Sequence, residues 1–288
     1  MMTNSLGLST FVLASPFSDS DGAQFDRVAA MGYDLIEVCI ENSAILTADF
    51  LIDNAKRTGL DVGICGAFGA DRDVSTDDTD RRRAGIDYLR LCVDFAAAVG
   101  SPHVAGPMYA PTGQTRMLNA DERARQRARA ADSLRDVADY AGERGVRLAI
   151  EPLNRFETDL INTTEQALEL IELIGTDNVG LLLDTFHMNI EEKNIGHAVR
   201  LAGARVFHVQ VAENDRGTPG SGHVPWTEFF DALTDIDYRG QIVVESFLPT
   251  VKEIARAVSL WRPVAPSMDA LAEGGLAFLR QSMAGSRS

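Results

Sequence analysis

Cysteine is scarce: Cys39, Cys65 and Cys92 are the only three in 288 residues. The number is odd and each sits among apolar neighbours. That argues against a disulfide framework and for reduced core or pocket thiols of an intracellular, cytoplasmic protein. Long apolar runs are also missing. None approaches the roughly 20 residues that span a bilayer. The mildly apolar start, Leu6 to Phe17, has no positive segment before it and is broken by Gly7, Ser9 and Pro16, so no signal peptide is expected. Positive charge is in short supply, with 27 Lys and Arg against 42 Asp and Glu, a net charge of -15. A surface so acidic repels phosphate backbones and anionic lipids, which excludes nucleic acid and membrane as natural partners. No Gly-x-Gly-x-x-Gly follows the first apolar run, which disfavours an open doubly wound sheet. Linkers and low-complexity segments are absent too. One domain over residues 1–288 is expected, ending in a helical extension from about residue 251. A chain of this size buries roughly 75% of its unfolded surface.

What the chain does have is alternation. Apolar runs predict strands over Leu6 to Thr10, Asp34 to Val38, Asp61 to Cys65, Pro102 to Gly106, Arg147 to Glu151, Val179 to Asp184, Val206 to Val211 and Gln241 to Glu245. Between them, helical spacing stopped by glycine predicts helices over Asp21 to Met31, Thr47 to Arg57, Asp80 to Val99, Ala120 to Arg144 and Thr163 to Ile174. Further helices are predicted within Lys193 to Ala202, over Trp226 to Thr234 and across most of Val251 to Met283. Eight strand–helix repeats without a break predict an α/β fold, a single (β/α)8 TIM barrel.

The last four strands end alike. Apolar residues lead into Glu151, Asp184, Gln210 and Glu245, and Pro152 biases Glu151 towards extended backbone. In such a barrel the strand ends converge on one mouth, where active sites sit. Three carboxylates and one amide oxygen are a hard donor set that suits one Mn²⁺ or Mg²⁺ ion better than zinc. Three solvated acids at corresponding places would repel one another without a cation. His208 shares a face with Gln210 but lies one layer deeper, and is read as a barrel-core histidine. His103 is read as packing, and His197 as a helix-surface residue. His223 can face substrate or solvent. Phe68, Tyr109 and Phe247, at loop starts, are candidates for the pocket wall, against the plainer reading that each is core.

The run Glu151-Pro152-Leu153-Asn154-Arg155-Phe156-Glu157 resembles the strand-five signature of the D-tagatose/D-psicose (allulose) 3-epimerases, within the xylose-isomerase-like barrels. Leu183-Asp184-Thr185-Phe186-His187-Met188-Asn189-Ile190-Glu191-Glu192 is similar to their strand-six motif. Glu213 to Gly217 with Pro219 to Trp226 resembles their strand-seven loop, and Val244 to Phe247 and Trp261-Arg262 also fit. The resemblance implies a divalent metal on Glu151, Asp184, Gln210 and Glu245. It implies Glu151 and Glu245 as the catalytic acid/base pair, and Glu157, His187 and Arg216 as residues that bind substrate oxygens. The implied reaction is 3-epimerisation of a free keto-sugar by proton abstraction at C3 through a cis-enediolate, in a homodimer or homotetramer. The chain departs from its nearest relatives at Gln210, where they carry histidine.

Hydroxypyruvate isomerases and inosose or dehydroshikimate dehydratases of the wider superfamily use glutamine there, so a related isomerase, or a dehydratase or lyase on a keto-sugar derivative, stays open. Arg216 beside Gly217, Gly220 and Gly222 offers a phosphate cradle as the alternative to a flexible loop closing over the site. The DNA-repair endonucleases that share this barrel need a histidine-rich site and a basic groove, which five histidines and the net charge oppose. A non-catalytic sugar-binding barrel would not need both candidate bases.

Overall fold

Short apolar segments alternating with amphipathic ones leave few ways to bury both. Strands lie side by side as a sheet, and helices cover its outer face. A computed structural model describes residues 4–285 of the chain. Its strands are β1 (Leu6–Ser9), β2 (Leu35–Ile40), β3 (Asp61–Gly66), β4 (His103–Gly106), β5 (Arg147–Ile150), β6 (Val179–Asp184), β7 (Val206–Val211) and β8 (Ile242–Val244). Each pairs in parallel with the next, and β8 pairs with β1 through Leu6↔Ile242 and Leu8↔Val244, closing the sheet into a TIM barrel. The helices are α1 (Gly22–Met31), α2 (Ala48–Thr58), α3 (Thr79–Val99), α4 (Ala120–Gly142), α5 (Thr164–Ile174), α6 (Thr185–Glu191), α7 (Ile195–Ala202), α8 (Trp226–Asp235), α9 (Lys252–Ala257) and α10 (Met268–Gly285). The expected domain takes in residues 1–3 and 286–288, which lie outside the described residues. Among the described residues no helix is long and apolar enough to cross a membrane.

The main core fills the layer between strands and helices, with Leu8, Ile36, Ile64, Val104, Leu148 and Leu181 meeting Phe25, Leu51, Leu89, Leu134, Leu170 and Phe229. Gly100 ends α3 with φ 76°, a left-handed turn that a side chain resists, and its N–H bonds Ala96 O. Gly180 has a different reason to lack a side chain: a Cβ there would stand 2.5 Å from Arg205 O.

Two stretches differ from the sequence expectation. β1 stops at Ser9, and Thr10–Val12 form a 3-10 turn whose first N–H groups include Phe11 N, bonded to Ser9 Oγ at 3.4 Å. After β6 the chain enters α6 directly, because the Asp184 carboxylate accepts from Phe186 N at 2.8 Å and caps the helix. That seven-residue helix is too short to show a period in the sequence.

Candidate active site

Strand ends five to eight deliver Glu151, Asp184, Gln210 and Glu245 to the barrel mouth, and none is more than 5% exposed. Glu151 N bonds Gly106 O at 3.1 Å, which continues the β5 ladder one residue past the strand. Asp184 and Gln210 are register partners on β6 and β7. Glu245 follows β8, its N bonded to Val211 O at 3.1 Å. Burial first, and then the charges of Glu245 and Asp184, push the Glu151 carboxyl well above the usual carboxylate range. Burial likewise raises Glu245, with Arg216 opposing and Asp184 adding to the rise. Asp184 is pushed up to about 6 by burial, against the pull of Arg216. The cluster is short of positive charge.

Arg216 supplies part of it. Its backbone is left-handed, φ 67°, in a turn closed by Arg216 N on Glu213 O (2.9 Å) and Glu213 N on Gly217 O (3.1 Å). Ser246 Oγ donates to Arg216 O at 2.7 Å and ties the turn to β8. The guanidinium is thereby thrown inward. Nη1 lies 3.0 Å from Asp184 Oδ2 and 3.2 Å from Glu245 Oε2, and Nη2 lies 3.5 Å from Glu157 Oε1. The Phe186 ring lies 3.9 Å beneath it. The rest of the glycine-rich loop is not arranged as a phosphate cradle. The Glu213 carboxylate itself accepts from Asn214 N, Gly220 N, Val224 N and Trp226 Nε1, so an acid of the chain already uses those donors.

His187, on α6, is held in a fixed orientation. Asn154 Oδ1 accepts from Phe156 N at 2.9 Å and Asn154 Nδ2 donates to Glu157 Oε1 at 2.8 Å, so both ends of that amide are fixed. The Asn154 backbone N–H donates to His187 Nδ1 at 2.9 Å. Burial first, then Arg216, hold the imidazole pKa well below its ordinary value, so the ring is neutral. Nδ1 accepts from the Asn154 N–H, and Nε2 lies 3.1 Å from Arg216 Nη2, a group that can only donate, so both ring nitrogens face donors. Nε2 points into the cluster, 3.4 Å from Glu151 Oε1 and 3.7 Å from Asp184 Oδ2. Glu151, Asp184 and His187 thus offer donor atoms within 4.8 Å of one another, a buried group of the kind that holds a metal ion.

A cavity of about 270 Å³ opens above the cluster. Glu151, Glu157, His187, Arg216 and Glu245 line one side, and Phe11, Phe68, Phe247, Ile254 and Val258 the other. Asp184 and Gln210 are not among the lining residues and sit below its floor. Phe68 and Phe247 are where the sequence put them. Tyr109 is not. It is fully buried in the core behind the wall, its hydroxyl donating to Ile161 O at 2.9 Å, and it does not line the cavity. His103 and His208 meet inside the barrel with ring centroids 4.6 Å apart and planes tilted by 53°, while His197 and His223 are exposed.

Three residues escaped the sequence reading. Phe11 lies just past the first predicted strand, with no motif to mark it. Asn154 lay within the strand-five motif without a role. Glu37 falls inside the second predicted strand, where an acid within Leu35-Ile36-Glu37-Val38-Cys39-Ile40 is itself a signal.

Residues 25–281 match the family model described as xylose isomerase-like TIM barrel. The chain is 34% identical over 276 residues to a probable ketose 3-epimerase of Synechocystis sp., covering 96% of each chain. A solved L-ribulose 3-epimerase superposes with a TM-score of 0.92 at 32% identity, covering 99% of this chain and 96% of that one. The D-allulose 3-epimerase of Methylomonas sp., solved in complex with D-allulose, superposes with a TM-score of 0.91 at 29% identity over 98% of each chain.

Proposed function

We propose, since the chain belongs to the xylose isomerase-like TIM barrel family and within it to the ketose 3-epimerases, that it inverts C3 of a free keto-sugar. The observation that carries this reading is the pair Glu151 and Glu245. Both are buried, both line one small cavity, and the charge of Glu245 helps raise the pKa of Glu151. One takes the proton from C3 of a 2-ketose, and the other returns a proton to the opposite face of the cis-enediolate. A single base would return the proton to the face it came from.

The residues fit a divalent ion. Gln210 Oε1 is buried without a hydrogen-bond partner, and three crowded carboxylates stand around the same strand ends. Glu151, Asp184, Gln210 and Glu245 would hold it, and the all-oxygen set favours Mn²⁺ or Mg²⁺. When bound, such an ion supplies Lewis-acid polarisation of the substrate's carbonyl oxygen. His187 stands beside this set, its Nδ1 held by Asn154 N and its Nε2 facing Glu151, Asp184 and Arg216. The imidazole edge and the Arg216 guanidinium hold sugar oxygens in the same region. Glu157, oriented by Asn154, accepts from a hydroxyl. Phe68, Phe11 and Phe247 close the far side and keep water from the enediolate. Tyr109 acts only by bracing the wall.

The same reading takes the chain as one barrel domain in the cytoplasm and as a homodimer or homotetramer. Gln210, in the position where the nearest relatives have histidine, favours a second reading, in which the same proton abstraction leads to isomerisation of a hydroxypyruvate-type acid or to elimination. Incubation with D-psicose, D-tagatose, D-fructose or L-ribulose in D₂O separates them. Deuterium enters C3 of the ketose and of its C3 epimer if the chain is an epimerase. Exchange in none of these sugars, with turnover of hydroxypyruvate or a dehydroshikimate-type acid, would replace the first reading by the second.

A further inference from the structure

Glu37 is an acid inside the apolar strand β2, and it is 1% exposed. A buried carboxylate is costly, and an apolar residue of similar volume is often the more stable choice. Something other than stability therefore accounts for it. β2 does not pair with β7, since β1 and β8 lie between them in the barrel. The Glu37 side chain nevertheless crosses the interior to two β7 residues. Oε1 accepts from Gln210 Nε2 at 2.6 Å, and Oε2 stands 2.5 Å from His208 Nε2. The His103 ring backs His208 from the other side.

A carboxamide has two ends of nearly the same shape, one a donor and one an acceptor. Only the oxygen end can face a cation. With Nε2 held on Glu37, Gln210 Oε1 is the free end, buried and without a partner, on the residue that pairs in register with Asp184. We propose that Glu37 is a positioning residue for Gln210, holding its amide so that oxygen rather than nitrogen is presented to the carboxylates of Glu151, Asp184 and Glu245. His208 Nε2 packs against the other carboxylate oxygen and fills the space into which Glu37 would turn. The proposal rests on the reading of Gln210 as a metal ligand.

The test is Mn²⁺ titration of the chelator-stripped full-length protein, with free Mn²⁺ read by electron paramagnetic resonance. Hydrogen-bond partners behind metal ligands are typically worth about 10–100-fold in affinity, and Glu37→Met, which has no acceptor, is expected to lose that much. Glu37→Gln keeps an acceptor and loses less than about tenfold. Glu37→Met combined with Gln210→Glu recovers binding, because a carboxylate offers oxygen whichever way it turns. If Glu37→Met binds Mn²⁺ like the wild type, the proposal fails while Gln210 stays a ligand. It also fails if the double variant shows no recovery, or if Glu37→Gln is as weak as Glu37→Met, which would make charge rather than orientation the cause. A wild-type protein that binds no Mn²⁺ overturns the ligand reading and this proposal together. Should Glu37→Met not fold, Glu37→Gln decides.

Discussion

Glu151 and Glu245 carry opposite demands. Chemistry needs two close carboxylates, and the metal-free fold is strained by them. Replacing either by glutamine keeps shape and removes charge. Turnover and C3 deuterium exchange should fall by about 10²–10⁴-fold in Glu151→Gln and in Glu245→Gln, as for a lost general acid or base. Stability should move the other way. Each carboxyl has a folded pKa raised from an ordinary 4.5. Such a group stabilises the fold fully below its unfolded pKa, and that contribution is lost as pH rises through the folded value. In chelator-treated protein the melting temperature of each variant should therefore gain on the wild type as pH is raised above 4.5. A gain that shrinks with rising pH would contradict the burial of these acids. The strand-end acids were legible because an apolar run stopping at a carboxylate is a local feature. Glu37 was not, since its partner Gln210 is 173 positions away. Tyr109 was misplaced because its loop-start position says nothing of which way the side chain turns.

The loop after β7 shows what a single acid does for a whole element. Glu213 accepts four N–H groups and so fixes the stretch from Asn214 to Trp226, including the left-handed turn that aims Arg216. Hydrogen bonds to a charged group contribute about 1.5–3 kcal/mol each, and leaving donors unpaired adds to the loss. Glu213→Leu should lower stability by about 3 kcal/mol or more on that scale, measured by urea unfolding. It should also raise KM for the ketose more than it lowers kcat, because Arg216 loses its aim while Glu151 and Glu245 stay in place. An unchanged KM would mean that Arg216 is positioned by Phe186 and Ser246 alone. In sequence this loop reads as glycine-rich and open. Its order depends on a buried carboxylate and an indole, which composition does not reveal. The helix α6 was hidden for a related reason. Asp184 is both the end of β6 and the cap of α6, and reading it as a strand end left no starting signal for a helix.

Across the whole molecule, the barrel was readable in sequence because eight punctuated repeats admit few closed arrangements, and β6 and β7 fall within the same bounds in the structure as in the sequence pattern. The proposed metal site adds a stabilising term at this scale. A ligand at 100 times its Kd stabilises the folded state by about 2.7 kcal/mol. For a domain of this size that is a rise of about 4–5 °C in Tm. Mn²⁺ added to chelated protein should produce such a rise, read by scanning fluorimetry, and Asp184→Asn should abolish most of it. The cavity has a further consequence. Its apolar wall draws Phe11, Cys65, Phe68 and Pro107 from the first four strand–loop units and Phe247, Ile254 and Val258 from the chain after β8, whereas its charged lining, Glu151, Glu157, Arg216 and Glu245, comes wholly from the last four units. The second half of the gene thus carries every ionic group of the cavity, and the first half contributes to its shape. Mutational libraries confined to the N-terminal half, with Glu37 left alone, would reshape one part of the wall and leave those ionic groups in place.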